Sequence, residues 1–294
     1  MSKNHKFHTS KQEKRNGSLR LFIIFLCFAL VAGTVSVAVI VKNNNSFLTD
    51  LLSKETTSSS QEDTTNSKQL ADLEAQLQGK ASVLVYCTDK QASEIFFMAV
   101  VDADMQTKSF EVRPLKTENP DYINALSKGG EKELVSAVKK AEGIAIDRYV
   151  ASDTDTFALA INYMGGLEYT VAERIEYRTD EYTLILTKGD QTIKGETLLK
   201  YFRYCKTLGG ETGLRKQGEI ISRMLDEYIT AENVKKGDTI YEKVLSKINS
   251  KSDISYIEAS KALQMLRLLF ESGGKQPAQV VFATEAQTET GGNE

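Results

Sequence analysis

An uncharged apolar run, LFIIFLCFALVAGTVSVAVIV from Leu21 to Val41, is bounded by Arg20 and Lys42. A helix of about 20 residues crosses the ~30 Å hydrocarbon core of a bilayer, so the run predicts one transmembrane helix. The pattern then turns polar. SKETTSSSQEDTTNSK, within residues 42–67, holds too little apolar area to fold and reads as a flexible tether. Leu70, Leu73 and Leu77 follow at helical spacing and predict a short amphipathic helix.

From Ser82 the periods alternate between strand and helix. SVLVYCT, EIFFMAVVD and KSFEVRP read as strands, the last ended by Pro114. GGEKELVSAVKKAEG reads as a helix stopped at Gly143, IAIDRYVA as a strand, and SDTDTFALAINYMGG as a capped helix ended by two glycines. LEYTV and EYTLILT are predicted strands, KGDQ a turn, GETLLKYF a short helix leading into RYCK, and TLGGETG a glycine-rich loop. Amphipathic helices are predicted at Leu214–Thr230, Thr239–Asn249 and Tyr256–Glu271, with QVVFATE as a last strand. Alternation of this kind predicts a layered α/β domain over residues 81–282, between a tether at 42–80 and a disordered tail at 283–294. Phe96, Phe97, Phe110 and Phe157, with Met98, are core candidates and also candidates for lining an apolar pocket.

Charge orients the chain. Lys3, Lys6, Lys11, Lys14, Arg15 and Arg20 precede the apolar run against the single acid Glu13, and NNNSFLTD follows Lys42. The positive-inside rule puts residues 1–20 in the cytoplasm and the bulk of the chain outside the cytoplasmic membrane. The alternative is a cleaved signal peptide with Ser36 and Ala38 at its cleavage site, but the run exceeds the usual ~7 to 15 apolar residues. Both readings export the domain. A net charge of −3 gives no reason to expect a nucleic-acid partner. The chain has 2 histidines, His5 and His8, both before the run, so the usual His/Cys zinc site and a histidine-based nucleophile system are excluded from the exported part.

The stretch YTLILTKGDQTIKGETLLKYFRYCK, Tyr182 to Lys206, resembles the strand, glycine turn and xLxGxxALxYxRxR segment of the LytR-CpsA-Psr family of cell-envelope proteins. INALSKGGEKELVSAVKKAEGIAIDRYVASDTDTFALAINYMGGLEYTV is similar to that family's INxAxxxGG…GIxIDHYxxVDFxGFxxLVDxLGGVxV pattern. Weaker likenesses are SVLVYCTD, SEIFFMAV and VRPLKT, and together they cover about residues 82–271. The resemblance implies a mixed sheet flanked by helices, with a long apolar pocket between them for a polyprenyl chain. It implies a membrane-bound protein that transfers an anionic glycopolymer from a polyprenyl pyrophosphate carrier to peptidoglycan, with arginines on the phosphates and acids holding Mg2+.

Position by position, the resemblance departs at the site. The aspartate of the family's SDT becomes Glu94, which the resemblance makes the candidate metal ligand. PRDT becomes PLKT, with Leu115 for arginine and Lys116 for aspartate; RxR becomes Arg203 and Cys205. GRxxRQ becomes TGLRKQ, with Gly213 and Lys216 at the arginines and Gln217 kept. The candidate phosphate ligands are therefore Arg203, Lys206, Arg215 and Lys216, with Arg203 the catalytic candidate. Each lost charge-assisted contact is worth roughly 1.5 to 3 kcal/mol, and about 1.4 kcal/mol is tenfold in rate, so a divergent member with weak, altered or absent transfer is expected. The rivals are a working transferase using Arg203, and a scaffold subunit whose pocket is filled by side chains. By the same resemblance Cys87 and Cys205 lie at strand ends near the pocket, where they form either one disulfide or two reduced, buried thiols.

Overall fold

The computed structural model describes residues 79–235 and 251–282. The apolar run Leu21–Val41, the helix around Leu70–Leu77, the helix expected at Thr239–Asn249 and the tail lie outside these residues. Among the described residues no helix is long and apolar enough to cross a membrane.

The first strand, β1 (Lys80–Thr88), pairs antiparallel with β2 (Ile95–Asp104), which pairs antiparallel with β3 (Ser109–Pro114). Helix α1 (Pro120–Glu142) then crosses to β4 (Arg148–Asp153), which lies parallel to β1. Two short strands near the end of the chain, β9 (Lys251–Ser252) and β10 (Gln279–Val280), complete a six-stranded mixed sheet of order β10-β3-β2-β1-β4-β9. Strand alternation splits the core in two. Leu84, Tyr86, Met98 and Val100 face α1 and pack on its Tyr122, Leu126, Leu134 and Val138. Val83, Val85, Cys87, Phe97 and Ala99 face the other way, toward α2 (Thr154–Tyr163), α3 (Gly195–Leu208), α4 (Gly210–Tyr228) and α6 (Tyr256–Glu271). A five-residue helix, α5 (Ala231–Lys235), follows α4. The layers are helix, sheet, helix, as the residue pattern and the family resemblance led one to expect.

Local chemistry explains most boundaries. Asn119 caps α1 by accepting from the Asp121 amide at 3.0 Å, ahead of Pro120. Its end is Gly143 at φ 64°, a left-handed stop. Asp153 closes β4 and caps α2, accepting from the Thr156 amide at 2.7 Å. Ser255 and Glu258 form a capping box on α6, and Arg148 of β4 pairs with the same Glu258.

The structure corrects the sequence reading in several places. Helix α1 begins at Pro120, not Gly129, because Gly130 (φ 69°, ψ −154°) kinks one helix rather than starting a new one. The predicted short helix extends through RYCK, so Arg203 and Cys205 are helical and not at a strand end. TLGGETG is not a loop: only Gly209 breaks the helix, and α4 starts at Gly210. Around the KGDQ segment, Gly189–Ile193 forms β8, paired with β5 (Leu167–Val171). A further strand, β6 (Ile175–Arg178), pairs with β7 (Thr183–Leu186) in a second small ribbon. The strands expected at LEYTV and EYTLILT are β5 and β7; their partners β8 and β6 were not expected, because GDQTI and IEYR are short and half-exposed with little apolar signal. Among the described residues of QVVFATE, 279–282, the strand is Gln279–Val280. Cys87 and Cys205 are both free and buried, so the disulfide is not formed. Each thiol is a small apolar filler of the core, on β1 and α3 respectively, and burial pushes the Cys205 thiol up to about 12.

Two backbone contacts set how closely the helices pack. A Cβ on Gly195 would lie 2.3 Å from the carbonyl oxygen of Ala158 on α2, and one on Gly213 would lie 2.2 Å from that of Cys205 on α3. The first amide of α3, at Gly195, is satisfied by Asn162 Oδ1 of α2 at 2.8 Å. Gly195→Ala is expected to lower stability by about 1 to 3 kcal/mol, because the neighbour to be displaced is backbone and not a flexible side chain. The urea-unfolding midpoint of the variant measures it, and an unchanged midpoint would contradict this packing.

Candidate functional site

A register shift in the β1–β2 pair starts the site. Cys87 pairs with Phe97 but Thr88 with Ile95, leaving Phe96 as a bulge residue. Phe96 and Phe97 therefore both face α3. In the connecting loop Asp89 accepts from the Ser93 amide at 2.6 Å, the Ser93 hydroxyl at 2.7 Å and the Glu94 amide at 2.8 Å. Burial opposes the Asp89 charge, yet these hydrogen bonds hold its carboxyl below the usual carboxylate range. The loop closed in this way presents Glu94 to α3.

Glu94 meets two cations one helical turn apart. Arg203 donates from Nη2 to Glu94 Oε2 at 3.1 Å and from Nε to Oε1 at 3.4 Å. Lys206 Nζ donates to the same Oε1 at 3.2 Å and to the Ile95 carbonyl at 3.0 Å. Arg203 Nη2 also reaches Glu181 at 2.9 Å, and its guanidinium lies 5.4 Å from the Phe96 ring centre and 5.3 Å from that of Tyr182. Burial works against the Arg203 charge, but Glu94 and Glu181 outweigh it and raise the pKa.

Beyond Lys206 the β3–α1 connection meets the α3–α4 corner around a cavity of about 240 Å³. Its walls include Lys116, Thr117, Lys206, Gly213 and Gln217. Two wall atoms are buried without a hydrogen-bond partner: Thr117 Oγ1 and Gln217 Oε1. Gln217 is 2% exposed, and its amide nitrogen donates to the Phe202 carbonyl at 3.4 Å. A buried polar atom left unpaired costs about 1 to 3 kcal/mol; a phosphate oxygen would recover it at the Thr117 hydroxyl, which can donate, whereas Gln217 Oε1, an acceptor, needs a ligand hydroxyl or N–H. The lining residues thus bring two lysines, the carboxylate of Glu118, a hydroxyl and an amide acceptor, so that the lysines outnumber the acid two to one.

Of the candidate phosphate and metal ligands named from sequence, Lys206 alone lines this cavity; Cys205, a disulfide candidate, also lies in its wall. Arg203 stands one step back, joined to Lys206 through Glu94. Arg215 pairs with Glu211 one turn earlier on α4 and lies 4.7 Å from the Phe282 ring centre. Lys216 is half-buried on α4 and is not among the lining residues. The sequence reading left Lys116, Thr117 and Gln217 out of the site set, although Gln217 was the residue of the RKQ segment that matched the family pattern. In PLKT the chain turns between faces: Leu115 is buried against α1, and Lys116 points to the cavity side. At Gly213, which takes an arginine's place, the closeness of the Cys205 carbonyl leaves no room for a side chain.

The donor set does not suit Mg2+. Glu94 has both oxygens occupied by fixed cations, and Asp89 has its oxygens turned onto its own loop. A divalent charge about 4 Å from a single positive charge is repelled by about 8 kcal/mol at an effective dielectric of 20, before screening by solvent. Among the described residues no group of three or more His, Cys, Asp or Glu is placed to hold a metal. The space between sheet and helices that the resemblance assigned to a long apolar pocket is occupied here by Phe97, Phe157 and Phe202, with ring centres 4.4 to 6.1 Å apart.

The model of the LytR_cpsA_psr family matches residues 47–284. Polyisoprenyl-teichoic acid–peptidoglycan teichoic acid transferase TagV of Bacillus subtilis is 29% identical over 182 residues, covering 56% of this chain and 46% of TagV. Biofilm regulatory protein A of Streptococcus mutans is 29% identical over 144 residues, covering 47% of this chain and 34% of that protein. The matched segments thus span less than half the length of either relative. The crystal structure of B. subtilis TagV shares the fold, with a TM-score of 0.53 at 22% identity over 70% of this chain and 84% of that one.

Thr117→Val removes an unpaired buried hydroxyl at nearly constant shape. In ligand-free protein it is expected to raise stability by up to about 1 kcal/mol, read as a higher urea midpoint. A clear loss of stability would mean that the hydroxyl has a partner in the protein itself.

Proposed function

This chain belongs to the LytR-CpsA-Psr family, and from that membership we propose that its exported domain binds the phosphate-linked end of an envelope glycopolymer without transferring it at its relatives' rate. The observation that carries this reading is the cavity beside α3 and α4, where two lysines stand next to the unpaired buried hydroxyl of Thr117, a donor for a phosphate oxygen, with the unpaired amide oxygen of Gln217 as an acceptor for a hydroxyl of the adjoining glycan. The name of the relative TagV supplies the substrate class: a teichoic acid on a polyisoprenyl carrier, passed to peptidoglycan. Lysine holds phosphate as a point charge but lacks the bidentate fork of arginine, so the cavity is better furnished for holding phosphate than for clamping a transferring phosphoryl group. Arg203, the remaining arginine of the RxR pair, directs Nε and Nη2 at Glu94 and Glu181. The aromatic packing of Phe97, Phe157 and Phe202 further supports recognition of the phosphate and adjoining sugar over burial of a long polyprenyl tail.

Calorimetry with the full chain in detergent tests the binding half. Inorganic pyrophosphate is expected to bind, and Lys206→Met to weaken it by about tenfold or more. Transfer from a polyprenyl-pyrophosphate-linked teichoic acid to peptidoglycan is expected to stay at background. Robust turnover that Arg203→Ala abolishes would replace this reading with a working transferase.

The same proposal anchors the domain outside the cytoplasmic membrane through Leu21–Val41, with residues 1–20 inside. Protease added to intact cells is expected to remove the domain and leave the N-terminal segment protected. Full protection of the domain would overturn the topology.

A further inference from the structure

The cavity and the ion cluster beside it share one residue, Lys206. Its ammonium carries three N–H donors. Two are directed at Glu94 Oε1 (3.2 Å) and the Ile95 carbonyl (3.0 Å), which fix its position, and the third has no partner among the described residues. Ile95 is a β2 residue buried in the core, so this anchor is rigid. The side chain also forms part of the cavity wall, next to Thr117 and Gln217. Glu94, the acid that the resemblance made a metal ligand, acts here as the counter-ion that holds two cations in place.

We propose that Lys206 is the built-in cation of this site, so that phosphate binding needs no divalent metal, with Glu94 positioning Lys206 instead of holding an ion. The inference rests on the phosphate-binding reading above. A phosphate needs nearby positive charge and hydrogen-bond donors. Lys206 and Lys116 supply both from the chain, whereas Mg2+ demands near-octahedral oxygen coordination that a single carboxylate, already accepting from Arg203 and Lys206, does not provide. Exchanging a metal for an ammonium also makes the site indifferent to chelators.

The test measures the affinity of the full chain for inorganic pyrophosphate by calorimetry, once in EDTA and once in millimolar Mg2+, with free pyrophosphate corrected for its own Mg2+ complex. Mn2+ binding to the ligand-free chain is followed by electron paramagnetic resonance. Equal affinity in both buffers, within about twofold, together with no Mn2+ bound, is the expected result. Glu94→Gln separates the two roles of the carboxylate. The glutamine keeps an oxygen to accept from Lys206, which the Ile95 carbonyl also holds, so loss of the counter-ion charge adds a unit of positive charge and leaves pyrophosphate binding as tight or tighter; loss of a metal ligand instead weakens binding and abolishes any Mg2+ dependence. Binding that appears only with Mg2+ and disappears in Glu94→Gln would overturn the inference while leaving the phosphate-binding reading intact. No pyrophosphate binding in either buffer would overturn that reading, and this inference with it.

Discussion

The closeness of α3 to its neighbours is the constraint on which the site depends. Gly195 lets α3 start against the backbone of Ala158, and Gly213 lets α4 fold back against the carbonyl of Cys205. Side chains at these points would hold the helices apart, since a Cβ at either would meet backbone well inside van der Waals contact. The tight corner brings Gln217 and Lys206 to the β3–α1 connection and leaves the small cavity between them. It also removes the room that an arginine at position 213 would need. The same close packing presses Phe202 onto Phe97 and Phe157, so that the space between sheet and helices is filled with rings.

Electrostatics follow from that placement. One carboxylate, Glu94, is shared between Arg203 and Lys206, and a second, Glu181, takes another donor of Arg203. Such a cluster is half-buried, where pairing is worth more than at an open surface, and it orients the ammonium of Lys206 without neutralising the cavity next to it. Phosphate recognition built on lysines differs in kind from recognition built on arginines: it supplies charge with less control of direction. On the proposed reading, that difference is the physical content of this chain's divergence within its family.

Family membership, the shared fold with TagV and the fate of the site are separate matters. The family match over residues 47–284 and the TagV superposition concern the scaffold. Function belongs to the side chains placed on the scaffold. Here Leu115 turns into the core under α1, Gly213 closes the helix corner, Cys205 fills space and Glu94 binds protein cations. Each departure has a structural role in this chain, and they are consistent with one another.

The periodicity of apolar residues was enough to locate β1, β2, β3, α2 and α6 and to predict the layered class, because burial of one face imposes a period of two or of 3.6 on the chain. The departures at Glu94, Leu115, Cys205 and Gly213 were likewise legible from residue types alone. Other features depended on contacts between residues far apart in the chain. Whether GGETG is loop or helix turned on packing against α3, and the strands β8 and β6, partners of the predicted β5 and β7, turned on pairings with little local signal. The partner of Arg203 lies 109 positions away on a loop whose shape is set by Asp89 and by a bulge in a strand pair. Residue types thus determined which charges the chain possesses. Only the tertiary structure decided which of them face the cavity and which neutralise one another, because an ion pair or a helix crossing depends on distances that no local pattern records.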